Sequence, residues 1–490
     1  MNRNHNAFDA GGTPTVPRAY EANITEYRPR TLKGVRFPQS TQEIQKLIQE
    51  SRLNQQPLYP ISTGRNWGLG SAQPVQDNCL LMDLSQMRAI RKVDARLRCA
   101  IIEPGVTQKQ LADYLQQNHP ELVFPMTGSG TETSIVGNIL ERGVCVRGHR
   151  YPFLLGLEVV LGNEEIVRTG MWHFAPDACQ HVYAPGVGPD LNGLFTQSNL
   201  GIVSAMVIRL EKRQKRRLLS LISTDEYLEE LTDRLFALRE EGVLQDGLLL
   251  TGLQDPRTSA GEVIPKGRWF ASASLQGSEG MQEAAMLQVR YQLENLCQQL
   301  RFYEIDKMPE NVEPAYLKNI AQMYQGTPTN YALETMARLG GSELEGRLEI
   351  DEAPDVNGFV CALPVVPFAG RSVRQAVSAV EEISEAMGVQ AYCNFVGMTP
   401  VALEGFFRVF FDRADPEAIA TAHQWNRRVH KRLRDMGFPP YRLNIEQMQE
   451  QIQQSDDSFW DTILQIKNTL DPDHVLAPGR YCPYHPTATT

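Results

Sequence analysis

One loop constrains this chain more than any other stretch: Pro60-Ile61-Ser62-Thr63-Gly64-Arg65-Asn66-Trp67-Gly68-Leu69-Gly70-Ser71, set behind a short apolar run. Glycines let a backbone turn tightly and approach a ligand closely. Successive N–H groups can then form a nest for a pyrophosphate, with hydroxyl donors beside them. The spacing is neither GxGxxG nor GxxxxGK[ST], so a Rossmann dinucleotide site and a P-loop are not supported. Alone, the loop also reads as an ordinary turn. A second stretch changes that balance: Thr127-Gly128-Ser129-Gly130-Thr131-Glu132-Thr133-Ser134-Ile135-Val136-Gly137-Asn138, leading into Glu141-Arg142-Gly143. Two such loops imply one extended, phosphate-containing ligand held from both sides. A third piece, Gln197-Ser198-Asn199-Leu200-Gly201-Ile202-Val203, puts Gly-Ile-Val at a strand start, where backbone can lie against a flat ring.

The surroundings of these loops alternate short β-like runs with amphipathic helices. Strands are predicted at Leu80–Leu84, Cys99–Ile102, Leu157–Leu161, Ile202–Leu210 and Phe406–Phe411. Helices are predicted at Ser40–Leu53, Thr107–Asn118, Met281–Leu300, Ser372–Met387 and Pro416–Met436. Such alternation implies a layered α/β or α+β architecture. The charge run Glu211-Lys212-Arg213-Gln214-Lys215-Arg216-Arg217 reads as a solvated strand exit or domain boundary. Gly437-Phe438-Pro439-Pro440 marks a second boundary.

Lys plus Arg number 48 against 58 Asp plus Glu, a formal charge of −10. That balance argues against nucleic acid as a partner. No stretch approaches the ~18 apolar residues of a membrane span, and the polar Met1–Arg18 segment lacks the apolar core of a signal peptide. The eight cysteines are scattered with no CxxC pair, which implies reduced thiols and a cytoplasmic location. The nine histidines form no metal-ligand pattern.

The loops, with Glu103-Pro104-Gly105-Val106-Thr107, Gly156–Gly170, Asp190–Val203, Tyr441-Arg442 and Leu476-Ala477-Pro478-Gly479-Arg480, resemble in order and spacing the FAD-binding domain of the vanillyl-alcohol oxidase and p-cresol methylhydroxylase flavoprotein family. The resemblance is close over about residues 30–210 and 437–481 and weak between them. It implies an α+β fold, with a two-part FAD-binding domain at 1–215 and 438–490 around an α+β substrate cap at 216–437. It further implies that Ser62, Thr63, Gly64, Arg65 and Asn66 hold the pyrophosphate, with Trp67 and Gly68 in the same loop. Ser129, Thr131, Ser134, Gly137, Asn138, Glu141 and Arg142 would line the groove. Gly201 and Ile202 would meet the adenine side, and Arg480 would lie near the ring. FAD is therefore the expected cofactor.

The catalytic face departs from the family pattern. Tyr441 and Arg442 match a phenolate-binding pair, but Leu69 stands where the phenol oxidisers carry a second Tyr. Ser129 stands where they carry a catalytic Asp. The cap strand Ala402-Leu403-Glu404-Gly405-Phe406-Phe407-Arg408 has no His or Tyr for a covalent flavin link. A non-covalent FAD is expected, with Cys145 and His149 as remaining attachment points. Candidate catalytic groups are Tyr441 (as phenolate), Arg442, Glu404 and His149, with Glu132 a further candidate base.

The expected activity is FAD-dependent oxidation of a small organic substrate, by hydride removal from an alcohol, an amine or a phenol-derived carbon. Dioxygen or a protein acceptor would reoxidise the flavin. A flavin-dependent exchange or elimination without net oxidation, and a non-catalytic flavin-binding protein, are the competing readings. The expected partners are a small molecule and, by resemblance, a second copy of the chain as a homodimer.

Overall fold

The computed structural model describes residues 16–174, 178–252, 268–310, 312, 316–339, 342, 344 and 348–484. Of the polar segment Met1–Arg18, residues 1–15 lie outside them.

Three regions of sheet organise the described residues. The first is a parallel trio in the order Leu32–Arg36, Cys79–Asp83, Leu58–Ile61. The helix Thr41–Leu53 connects the outer two, and its N-terminal Glu43 N–H donates to Ser40 Oγ at 3.2 Å. Ile44 and Ile48 recur every fourth residue and are fully buried against Leu58 and Met82. The second region is an antiparallel sheet in the order Ile166–Arg168, Leu154–Val160, Ile202–Arg209, Cys99–Ile102, Ile90–Asp94. Its central strands are buried on both faces, which is why Ile202–Arg209 reads as a nearly unbroken apolar run.

The third region is the large sheet in the part of the chain expected to form the cap, and it is called the cap below. Seven antiparallel strands run in the order Cys297–Glu304, Arg216–Thr224, Arg268–Gln276, Leu249–Gly252, Ala391–Thr399, Ala402–Phe411, Gly358–Ala362, with Val365–Pro367 pairing onto Ala402–Phe411. Strand alternation divides the cap into two faces. Leu403, Phe407, Val409 and Phe411 pack into the core with the helices Leu228–Glu240, Gly370–Met387 and Pro416–Asp435. Glu404 and Phe406 point the other way, into a cavity shared with the loops. Register pairs Ser272 with Leu249, Leu249 with Val396, and Val396 with Glu404, so four strands present one row to that cavity.

One predicted helix is cut short. The reading Met281–Leu300 becomes a helix over Glu279–Leu293 and then the edge strand Cys297–Glu304. Antiparallel pairing with Arg216–Thr224 outcompetes the helical pattern of its last residues.

The C-terminal segment returns to the first region. Leu58 N–H donates to Val475 O and Ala477 N–H to Leu58 O, both at 2.7 Å, so the chain beyond Asp471 runs beside the parallel trio. Lys467 anchors the return. It is 1% exposed, pairs with Asp471 at 2.6 Å, and donates to Asn199 O at 2.6 Å and Leu476 O at 2.8 Å.

Candidate active site

The two glycine loops meet. The Ser134 N–H donates to Thr63 Oγ1 at 3.3 Å. Gly137 lies so close to the first loop that a Cβ there would sit 2.3 Å from Ser62 Oγ. Ser134 Oγ accepts the Gly137 N–H at 2.9 Å and donates to Pro104 O at 2.6 Å, which fixes the second loop. The third piece joins the end of the second loop through Gln197, whose N–H donates to Leu140 O at 2.8 Å and whose Nε2 donates to Tyr441 O at 2.7 Å.

A cavity of about 530 Å³ runs along this junction and on beneath the cap sheet, a size typical of ligand sites. Its walls include Ser62, Thr63, Gly64, Arg65, Asn66, Trp67, Ser129, Ser134, Gly137, Asn138, Glu141, Gly201, Ile202 and Arg480, together with Tyr441, Arg442 and Glu404. Gly68, Thr131, Arg142 and His149 are not among its walls. Gly68 backs onto Phe359. The Thr131 N–H and hydroxyl donate to Asn330 Oδ1 at 2.9 and 3.1 Å. Arg142 Nε donates to Thr196 Oγ1 at 3.1 Å. His149 stacks on Tyr151 with ring centroids 6.2 Å apart. Burial lowers its affinity for a proton, so it stays neutral.

Arg65 borders the cavity, but its guanidinium is taken up by the cap side. It donates to Leu348 O at 2.6 Å and pairs with Glu349 at 2.8 Å. Trp67 Nε1 and Ser71 Oγ donate to Asp351 at 3.0 and 2.6 Å. The first loop is thus latched to residues 348–351 by Arg65, which the sequence suggested for phosphate, and by Trp67 and Ser71.

At the cap end, three ionisable groups converge. Glu404, Tyr441 and Arg442 border the cavity together, close enough for their charges to act on one another. Arg442 also donates to Asn66 Oδ1 at 2.6 Å and lies 3.9 Å from Glu141. Glu141 in turn pairs with Arg480, which donates to Tyr59 OH at 2.6 Å. Burial pushes Glu404 up to about 7, against the opposing pull of Tyr441 and Arg442. Burial first, and then Glu404, raise Tyr441 well above the ordinary phenol range. Both causes favour the protonated phenol over the phenolate that the sequence suggested for Tyr441. Glu404 Oε2 is buried and without a hydrogen-bond partner among the described residues.

Leu69 and Ser129 both border the cavity. Leu69 joins Cys361 and Leu363 in an apolar cluster against Phe406 and Tyr441. Ser129 Oγ lies 3.0 Å from Thr133 Oγ1. The sequence reading missed the cap walls: Thr251, Ser272, Tyr316, Asn319, Tyr324 and Asn394. They come from strands and a helix far apart in the chain, and no local pattern marks them.

The lining fits FAD. Hydroxyls and open backbone line the part between the loops, and Ser198 Oγ there is buried without a partner among the described residues. Gly137→Ala would place a methyl where the loops touch. It is expected to raise the Kd for FAD by about 5- to 100-fold. The check is the ratio of flavin to protein absorbance after dialysis, with the far-UV circular dichroism unchanged.

Comparison with known proteins agrees with this geometry. Residues 32–170 match the family model of an FAD binding domain. The chain is 28% identical over 508 residues to 1'-carboxy-chondrochloren decarboxylase of Chondromyces crocatus, covering 96% of this chain and 94% of that one. It is 26% identical over 469 residues to the 4-cresol dehydrogenase [hydroxylating] flavoprotein subunit of Pseudomonas putida, covering 90% and 86%. The crystal structure of p-cresol methylhydroxylase with substrate bound superposes with a TM-score of 0.84 at 23% identity, covering 94% of this chain and 91% of that one. The chain is thus an α+β protein of the p-cresol methylhydroxylase fold with FAD as its cofactor. Its relatives include proteins named as dehydrogenases and an oxidase, and one named a decarboxylase. Among the described residues no helix is long and apolar enough to cross a membrane.

Proposed function

We propose that this chain is an FAD-dependent oxidoreductase that removes a hydride from a carbon of a small organic substrate held between the flavin groove and the cap sheet. One observation carries this reading: a single cavity is walled by both glycine loops and by Glu404, Tyr441 and Arg442. When bound, FAD supplies the hydride acceptor. Glu404 is the proton acceptor. Its buried, unpartnered Oε2 is available to an alcohol, amine or phenol hydrogen of a bound substrate, and a carboxylate pushed up to about 7 is matched to that task. Tyr441 borders the cavity beside Glu404, and burial and the Glu404 charge favour its keeping its own proton. Arg442, always charged, anchors the pair and presents positive charge on the Asn66 side of the cavity. Leu69 and Leu363 exclude water beside Tyr441 and favour an apolar substrate end there.

The flavin is taken to be dissociable. Glu404 and Phe406, the cap-strand residues that face the cavity, form no flavin link. Cys145, which borders the cavity, has its thiol pushed up to about 11 by burial. Dioxygen and a protein acceptor both remain compatible with this site.

A second reading is favoured by one relative. The protein matched over 96% of this chain is named a decarboxylase. In such a reaction the electron pair of a C–COO⁻ bond fills a new double bond as the hydride leaves the neighbouring carbon, so no proton acceptor is required. Anaerobic mixing with candidate substrates separates the readings. Lasting flavin bleaching without CO₂ supports oxidation alone, and bleaching with one equivalent of CO₂ supports oxidative decarboxylation. No bleaching across alcohols, amines and phenols, with and without a carboxylate, would overturn both.

A further inference from the structure

We propose that a second concavity, where the flavin domain hands over to the cap, is a binding site for a small polyanion of the phosphate or carboxylate class. It has a volume of about 240 Å³ and is bordered by Arg98, Arg147, Arg209, Glu211, Lys212 and Arg216 among others. It lies outside the cofactor cavity and takes up the charge run at 211–217, for which the flavin chemistry has no use.

The charges there are not balanced. Arg147 pairs with Glu211 at 2.8 Å, and Arg147 and Arg216 both hold Asp246. Arg98, Arg209 and Lys212 have no acidic partner among the described residues. Five cations against two acids leave three positive charges uncompensated, in a chain whose formal charge is −10. Asp94, on the Arg98 hairpin, is not a wall of the cavity and accepts the Leu97 N–H at 2.8 Å. Converging like charges repel one another, and an anion between them relieves that repulsion.

Arg98, Arg209 and Lys212 are exposed, and two of them are constrained. The Arg209 guanidinium lies over the Phe153 ring, 4.6 Å from its centroid. Arg98 sits at φ +53°, a left-handed conformation disfavoured for a residue with a Cβ, and its carbonyl accepts the Leu210 N–H at 2.7 Å. Both positions thus approach the cavity from fixed backbone. Guanidinium forks match the paired oxygens of phosphate and carboxylate. The cavity is too small for a polymer, and the net charge of the chain disfavours nucleic acid. A single turn separates this site from the cofactor: Cys145 and Val146 border the large cavity, and Arg147 borders this one.

The test is calorimetric titration of the FAD-loaded protein with inorganic phosphate and, separately, citrate at low ionic strength. Wild type is compared with Arg98→Gln/Arg209→Gln and with Lys33→Gln, an exposed control on the strand Leu32–Arg36. Saturable binding is expected in wild type and in Lys33→Gln, with affinity at least about tenfold weaker in the double variant. Whichever anion binds more tightly identifies the headgroup. The flavin spectrum is expected to be the same in all three proteins. The proposal is overturned if neither anion binds saturably, or if the double variant binds as the control does.

Discussion

Glu404→Gln lowers kcat/KM by about 10²- to 10⁴-fold, the usual contribution of a general base, and abolishes the pH dependence that this residue imposes. A proton acceptor works only when ionised. Because burial pushes Glu404 up to about 7, wild-type kcat/KM rises about tenfold per pH unit below 7 and levels off above it. The glutamine variant is flat across that range, and its flavin content matches wild type. The same shift fixes a stability effect. The folded protein holds the Glu404 proton more tightly than the unfolded chain does, so wild type loses stability as pH rises from about 4.5 to about 7. Glutamine mimics the protonated group, so the variant has a higher Tm than wild type above pH 7 and an equal one below about 4. A variant with unchanged turnover and an unchanged pH profile would remove Glu404 from the chemistry.

Lys467→Met is expected to destabilise the protein by about 3–5 kcal/mol, the cost of stranding one member of a buried ion pair. All three ammonium N–H donors are used, on Asp471, Asn199 O and Leu476 O. Methionine fills most of the volume but leaves Asp471, which is fully buried, with only the N–H groups of Val475 and Leu476. Lys467→Met/Asp471→Leu should be milder than the single change, because it removes both charges. Urea denaturation followed by circular dichroism gives the two values. A single variant as stable as wild type would mean that the C-terminal return is held by its apolar contacts and strand bonds alone.

Local elements were legible in the sequence, and distant assemblies were not. Thr41–Leu53, Gln108–Asn118 and Pro416–Asp435 follow from caps and periodicity, since those signals act within a few residues. The glycine loops were legible because a tight turn with open N–H groups demands particular residue types. Glu404 was legible only through its likeness to a cap strand, and its raised proton affinity depends on burial beneath that strand's neighbours. Thr251, Ser272 and Asn394 reach the cavity through strand register across more than a hundred residues of chain. No short pattern encodes such pairing. Arg65 shows the opposite failure. Its place in a phosphate-type loop suggested an anion ligand, while the nearer Glu349 and Leu348 O of the cap take its fork.

The latch of Arg65, Trp67 and Ser71 onto residues 348–351 sets a rule for recombination. A chimera that exchanges the cap of this chain for that of a relative breaks these bonds unless the graft carries a glutamate and an aspartate matching Glu349 and Asp351. Swaps that respect this seam should keep their yellow colour, and those that cut across it should emerge colourless.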